Sequence, residues 1–254
     1  YPKKLTDSDN SLMGFGATYE VNETTSLFVG FHEGFTPTGG GADSEEADNL
    51  EVGVRYVSAD TFAEFVVFNT DYANMFGTCT ASGGAVGSCD QGDSFNGGAA
   101  TIEGIELALK KVWRSDNGTI YPVSLTYTST DAQFDSSFNS SFWGNVNAGM
   151  DLPDLPDTQL ALSAGFEMEN GWSGDATLYS YGSTCSVAAC TAGTEIDSYN
   201  VIDVTVAKEI SEKSDIYIVI ENITDEEDIV ARAPKNGARA QKPTTTTVGI
   251  RYRF

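Results

Sequence analysis

The sequence predicts an all-β fold, a transmembrane antiparallel up-and-down β-barrel of which about eleven strands are present. Apolar residues alternate with small or polar residues along many segments, and this period of two places the two kinds of side chain on opposite faces of a sheet. Short and long connections alternate between these segments. One end of the sheet therefore carries tight turns and the other carries long loops, as in outer-membrane barrels.

Each predicted strand is bounded by turn residues and most alternate strictly. In the last strand, Val248, Ile250 and Tyr252 share one face. Gly249 and Arg251, which lie between them, share the other face. In order, the predicted strands are Leu12–Val21, Ser26–Phe35, Asn49–Val57, Thr61–Tyr72, Ala100–Val112, Tyr121–Thr130, Gln159–Glu167, Trp172–Tyr181, Tyr199–Glu209, Asp215–Ile223 and Thr244–Phe254. The fourth is apolar on both faces in its middle, and the eighth alternates poorly.

The connections divide into two classes that alternate along the chain. The short ones are Asn22–Thr25, Ser58–Asp60, Trp113–Ile120, Met168–Gly171 and Ile210–Ser214. The long ones are Thr36–Asp48, Ala73–Ala99, Asp131–Thr158, Gly182–Ser198 and Thr224–Pro243. A soluble β-sandwich or lectin is the alternative all-β interpretation, but it does not predict this systematic asymmetry.

Composition excludes several classes of function. The chain has 254 residues with 14 Lys and Arg against 37 Asp and Glu, a formal net charge of -23. This balance argues against binding to nucleic acid, which depends on cationic side chains that neutralise phosphates. His32 is the only histidine, and no Cys–His cluster occurs, so we expect neither an enzyme nor a metal or cofactor site. We expect His32 to face the barrel interior or its rim.

The four cysteines form two close pairs, Cys79 with Cys89 and Cys185 with Cys190, each inside one long loop. An even number of cysteines in exposed loops predicts two local disulfides in an oxidising compartment. Four free thiols in the polar loops of a cytosolic protein are the alternative.

Four segments near the C-terminus have distinctive sequences. They are Asn222-Ile-Thr-Asp-Glu-Glu, Ala231-Arg-Ala-Pro-Lys-Asn-Gly-Ala-Arg, Lys242-Pro, and Val248-Gly-Ile-Arg-Tyr-Arg-Phe254. Together they resemble the ending of TonB-dependent outer-membrane receptors. Further segments match motifs of this family in the same order, namely Gly34-Phe-Thr-Pro37, Glu51-x-Gly-x-Arg55, Asp71-Tyr-Ala-Asn74, Phe95-Asn-Gly-Gly98, Gly104-Ile-Glu106, Thr126-Tyr-Thr-Ser-Thr-Asp-Ala132 and Leu152-Pro-Asp-Leu-Pro156. The cysteine-bearing loop before Phe95 resembles the ferric dicitrate and siderophore receptor branch.

The resemblance implies a 22-stranded barrel, plugged by an N-terminal domain that carries a short box for pairing with TonB. Residues 1–254 are then expected to be the C-terminal part of the barrel, without the plug and the N-terminal strands. The strand count supports this independently. The first and last of eleven strands run in the same direction and cannot close an antiparallel barrel, and single-chain bacterial barrels have even strand numbers.

The function that the resemblance implies is active uptake of a ferric chelate, of siderophore or ferric citrate type, in the bacterial outer membrane. The expected partners are outer-membrane lipid, the chelate, TonB through the missing N-terminal part, and the outer-membrane assembly machinery. A passive porin-like barrel, or a receptor for carbohydrate or cobalamin, is the alternative.

Arg232, Lys235, Arg239 and Lys242 form the only basic cluster in any long loop, and an anionic chelate requires such donors. They are the predicted ligand-binding residues. The alternative is that Arg239 braces the loop. Because the chain as a whole is acidic and repels anions at long range, a neutral or cationic ligand, such as a hydroxamate-type ferric siderophore or cobalamin, is a further alternative.

Two further predictions concern the terminus and the acidic loops. Tyr252 and Phe254 resemble the terminal aromatic signal that the assembly machinery reads in this family. Two acidic groups could bind calcium through oxygen atoms but lack EF-hand spacing, and solvated loops are the favoured interpretation. These groups are Asp43, Glu45, Glu46 and Asp48, and Asp151, Asp154 and Asp157.

Overall fold

The structure is a computed structural model that describes residues 10–37, 44–78, 94–96, 98–140, 144–232 and 237–253. Eleven strands form one antiparallel sheet in which each strand pairs with the next one along the chain. They are β1 (Gly14–Asn22), β2 (Thr25–Thr36), β3 (Glu45–Val57), β4 (Thr61–Ala73), β5 (Ala100–Arg114), β6 (Ile120–Phe134), β7 (Thr158–Glu167), β8 (Trp172–Tyr181), β9 (Tyr199–Ser211), β10 (Ser214–Glu221) and β11 (Thr245–Tyr252). The predicted all-β, up-and-down topology is confirmed. Among the described residues no helix is long and apolar enough to cross a membrane.

One face of the sheet, here called the apolar face, carries a continuous band of apolar side chains. The band crosses strands through directly opposed residues, for example from Val29 to Val52, Val67 and Ile105. These side chains are strongly exposed, with 52% for Val52 and 67% for Val248 at the far edge. A contiguous exposed band of this extent is unfavourable in water, so it indicates the face that meets lipid.

Aromatic side chains line the apolar face near the short turns. They are Tyr19, Tyr56, Trp113, Tyr121, Trp172 and Tyr252, with exposed fractions from 39% to 69%. Amphipathic rings in this position are typical of a membrane–water interface.

Two lysines of the apolar face lie at the same end. Lys111 Nζ is 2.8 Å from Asp60 Oδ2, and the hydrogen bond from Lys111 lowers the pKa of Asp60. Lys208 donates to the carbonyl of Asn170 and lies 5.7 Å from the Trp172 ring centroid. Both ammonium groups thus leave the apolar band for the turns, which avoids the cost of a charge facing hydrocarbon.

On the opposite face, here called the inner face, aromatic rings lie over glycines of the adjacent strand. Phe28 is directly opposite Gly53, and Phe68 is directly opposite Gly104. A Cβ on Gly53 would overlap the ring of Phe28. Rings that cover strand glycines recover the packing that the missing side chains would supply. This explains why β4, with the buried Val66 beside Phe68, is apolar on both faces.

Several of the observed strands extend further toward the long loops than the alternation predicted. β3 begins at Glu45 instead of Asn49, and β6 continues to Phe134 instead of Thr130. Ladder pairing continues there through residues that are polar on one or both faces, so the alternation signal is lost. β10 instead ends at Glu221, because Asn222 has a φ of 50° and leaves the extended region.

The long loops also contain four short ladders that alternation did not predict. They pair Phe76–Thr78 with Ser94–Asn96, Phe138–Ser140 with Gly144–Val146, Thr184–Cys185 with Glu195–Ile196, and Ile229–Arg232 with Ala238–Ala240. In the third of these ladders, Cys185 is also joined to Cys190 by a disulfide, and the two Cα atoms are 5.3 Å apart. That predicted disulfide is present. Cys79 and Cys89 lie outside the described residues, and their pairing stays a prediction.

Gly53→Ala should destabilise the folded sheet by about 1–3 kcal/mol, the usual range for overpacking. The new methyl group would overlap Phe28 and lie 2.8 Å from the carbonyl oxygen of Phe65, which is backbone and cannot rotate away. Gly16→Ala is the matched control, since its Cβ would meet only the Val29 carbonyl oxygen at 3.7 Å. The measurement is the temperature at which the compact band is lost in semi-native electrophoresis. Equal temperatures for the two variants would contradict the proposed packing.

Candidate functional site

The loop end of the inner face contains the main hydrophobic cluster of the described chain. Ala100 and Phe134 are fully buried, and Val146 and Leu152 from the loop after β6 pack with them. Ala188, from the loop closed by the disulfide, joins the same cluster. The loops are therefore packed against the strand ends and against each other, so this end of the sheet has a surface of defined shape.

The segment 149–157, here called the loop strap, pairs with the free edge of β6. β6 extends beyond β7 at this end, so its backbone groups need other partners. The Leu152 N–H donates to the carbonyl of Ala132 at 2.9 Å, and the Thr130 N–H donates to the carbonyl of Asp157 at 2.9 Å. The Asp154 N–H then donates to the carbonyl of Cys185 at 2.8 Å. The strap thus continues the sheet above β7 and connects it to the disulfide loop.

Asn222 fixes the start of the last long loop. Its side chain is buried, with 2% exposed, and its Nδ2 donates to the carbonyl oxygens of Glu226 at 3.0 Å and Lys242 at 2.9 Å. The hydroxyl of Thr244 donates to Asp225 at 2.9 Å and to the Asn222 carbonyl at 2.6 Å. Hydrogen bonds from the backbone and hydroxyl of Thr244 lower the pKa of Asp225. The segment Asn222-Ile-Thr-Asp225 thus ties both ends of the loop together.

The residues of the predicted basic cluster have different contacts in the structure. Arg232 Nε donates to the carbonyl of Glu195 at 2.6 Å and so connects the last two long loops. Lys242 Nζ is 2.7 Å from Glu221 Oε2. Arg239 is exposed and lies directly opposite Ala231 in its ladder, so Arg232 and Arg239 point to opposite faces of the hairpin.

Lys235 lies outside the described residues. Ligand binding by the four basic residues therefore stays a prediction. The geometry adds that two of them, Arg232 and Lys242, also hold the loop in place.

A hollow of 280 Å³ on the inner face contains His32, which alternation placed on this face. The His32 Nδ1 lies 3.4 Å from Asn49 Nδ2, and the Thr70 hydroxyl donates to Asn49 Oδ1 at 2.6 Å. These side chains come from β2, β3 and β4 and form a polar surface that can hydrogen-bond a ligand.

The acidic groups named from the sequence are spread along the backbone. Glu45 lies on one face of β3 and Glu46 and Asp48 lie on the other, and Asp43 lies outside the described residues. Asp151, Asp154 and Asp157 belong to the loop strap. In the part of the chain that the structure describes, no group of three or more His, Cys, Asp or Glu residues is arranged to hold a metal ion.

Sequence analysis missed a cavity of about 620 Å³ between the loop strap and the disulfide loop. Val187 and Ala188, which lie within the disulfide loop, are only 6% and 8% exposed and line it. The signal was the apolar run Val187-Ala188-Ala189 in a loop made largely of small and polar residues. This run lines a cavity only because the loop strap, which is distant in sequence, lies beside it.

Comparisons with known proteins agree with this architecture. The sequence model of the family described as TonB dependent receptor-like, beta-barrel matches residues 4–223. No curated protein matches the chain by sequence.

Three solved structures illustrate the likeness of fold. The ferric-catecholate import receptor Fiu from E. coli K12 has a TM-score of 0.71 at 16% identity, over 95% of this chain and 34% of that one. The siderophore receptor PiuA from Acinetobacter baumannii has 0.74 at 17%, over 94% and 35%. The ferric yersiniabactin uptake receptor FyuA from Yersinia pestis has 0.66 at 19%, over 93% and 36%. The chain thus spans about a third of the length of these receptors.

The family match covers most of the chain, and the eleven-stranded meander, its apolar band and its asymmetric connections are those of an outer-membrane barrel. The chain belongs to the TonB-dependent receptor β-barrel family, whose members are outer-membrane proteins of Gram-negative bacteria.

Proposed function

We propose that this chain is the C-terminal part of a receptor that takes up a ferric chelate, of siderophore or ferric citrate type, with energy delivered by TonB. The observation that carries the proposal is the match of the sequence to the family model. The cavity that the packed loops form at one end of the sheet agrees with it. The three solved relatives are receptors for ferric chelates or siderophores by name, which supports the same class of ligand.

The edges of the sheet support a larger barrel. Among the described residues, β1 and β11 are each paired on one side only, and both run in the same direction. Unpaired backbone groups are not tolerated in hydrocarbon, so further strands must complete the sheet. We infer that these strands enclose a plug domain that contacts the inner face and couples to TonB.

The proposal is tested by iron uptake. A bacterium lacking its own ferric-chelate receptors, and expressing the full-length receptor, should accumulate radioactive iron from at least one chelate of a siderophore panel. Uptake should disappear in a tonB deletion strain, because transport against a gradient needs energy input. Uptake that persists without TonB would contradict the proposal and favour the passive, porin-like alternative.

Replacing Arg232 and Arg239 together by alanine should weaken binding of an anionic chelate by about tenfold or more, the scale of a lost charge-assisted contact. Receptor level at the surface should not change. Affinity is measured on whole cells by competition with a labelled ferric chelate. The matched control is Arg114→Ala, which removes an exposed cation at the turn end of β5.

The single variants separate the two roles in this cluster. Arg239 is exposed, whereas Arg232 donates a hydrogen bond to the Glu195 carbonyl. The single variant Arg239→Ala should therefore keep the conformation of the loop and lower the affinity for the ligand. If the double variant binds with unchanged affinity, the basic residues brace the loop and the chelate is not anionic.

Deleting Phe254 from the full-length protein should reduce the amount of assembled receptor much more than the stability of what folds. Phe254 lies outside the described residues, but Tyr252 is 56% exposed in the aromatic girdle, two residues earlier on the same predicted face. Surface-exposed, heat-modifiable protein is compared at matched synthesis. Phe254→Tyr, which keeps an aromatic terminus, is the control and should assemble normally. Equal assembly of the deletion and the wild type would make Phe254 an ordinary girdle residue.

A further inference from the structure

We infer that the 620 Å³ cavity between the loop strap and the disulfide loop binds an organic cation, a ligand or ligand part that joins an apolar body to a positive charge. This deepens the proposed function by assigning a positive charge to one part of the transported molecule, apart from the anionic groups that Arg232 and Arg239 are proposed to bind, and it rests on that function only for the molecule's identity as the transported chelate. The inference stands on the volume, the floor and the charged rim of the cavity.

The floor of the cavity is apolar and fixed. Leu152 from the strap, Val187 and Ala188 from the disulfide loop, and Ile196 from its ladder are all less than 9% exposed. The disulfide and the main-chain hydrogen bonds of the strap hold these residues in place without a ligand. A volume of this size lies within the range of small-molecule sites, about 300–1,000 Å³. The cavity therefore has a fixed base made of apolar residues.

The charged residues that line the cavity are all carboxylates. They are Asp131, Asp151, Asp157, Glu195 and Asp197, and no described lining residue is lysine or arginine. Arg232 reaches the main-chain carbonyl of Glu195 from the neighbouring hairpin but does not line the cavity. Above an apolar floor the potential of these carboxylates is focused, which attracts a cation and repels an anion.

The arrangement favours an organic cation over a metal ion. The described carboxylates do not converge as three or more potential ligands around one point, which a bare cation such as calcium would need. A hydrated ion would also gain nothing from the floor of Leu152, Val187 and Ile196. An ammonium or guanidinium group on an apolar frame uses both features. The cavity and the exposed Arg239 are therefore suited to opposite charges.

Three fluorescent probes with one apolar body test the charge class. Dansylcadaverine carries an ammonium group, its N-acetyl derivative is neutral, and dansyl-6-aminohexanoate carries a carboxylate. Each is titrated against the purified full-length receptor in lipid nanodiscs, with empty nanodiscs as background. The ammonium probe should bind about tenfold more tightly than the neutral probe, and the carboxylate probe should bind most weakly. Raising salt to about 0.5 M should reduce this preference, because the rim carboxylates are exposed.

Substitution localises the effect. The triple variant Asp151→Asn, Asp157→Asn and Asp197→Asn removes three rim charges without changing side-chain shape, and should lower affinity for the ammonium probe about tenfold. Affinity for the neutral probe should stay the same, which also reports that the cavity remains folded. Asp175→Asn is the control, since this carboxylate lies in β8 and lines a different hollow near the turn end.

Two results would overturn the inference: equal affinity for all three probes in the wild-type receptor, or an ammonium preference that the triple variant leaves unchanged. Salt dependence is measured on the wild type, so the inference remains open to refutation if the variant does not fold. The outcome is independent of iron uptake. A receptor that prefers the ammonium probe but transports no ferric chelate would retain the cavity assignment and refute the proposed function.

Discussion

Hydrocarbon provides no partners for backbone N–H and C=O groups, and the pairing within this sheet follows from that constraint. The nine strands between β1 and β11 are each paired on both sides with their neighbours in sequence, whereas β1 and β11 are each paired on one side among the described residues. The side-chain pattern follows from the same geometry. Because opposed residues share a face, the apolar band from Val29 to Ile105 is continuous across strands that are far apart in sequence.

At the loop end, outside the hydrocarbon, the backbone N–H and C=O groups also need hydrogen-bond partners. Strands such as β6 extend beyond their neighbours, and the backbone groups thus exposed are paired by the loop strap instead of by another strand. The strap brings Leu152 and the disulfide loop onto Phe134, so that apolar side chains of the loops and of the ends of β5 and β6 are buried together. The rigid parts of the candidate binding surface are consequences of unequal strand lengths.

Charge is distributed in relation to these two environments. Lysines of the apolar face leave the band at the turns, where Asp60 or the Asn170 carbonyl receives them. On the inner face, Asp215 is 6% exposed and lies 3.1 Å from Arg253, which ties the end of the last strand to β10. The loops carry most of the acidic excess, and there the carboxylates collect around an apolar cavity while Arg239 stays exposed.

The sequence by itself determined the strands, their faces and the two ends of the sheet, because a period of two and the lengths of connections are local properties. It placed His32 on the inner face and paired Cys185 with Cys190 for the same reason. The tertiary structure alone decided what the loops build. Whether Arg232 contacts the Glu195 carbonyl, and whether Val187 is exposed or forms a cavity floor, depends on segments distant in sequence. Such contacts have no period, so no local pattern in the chain encodes them.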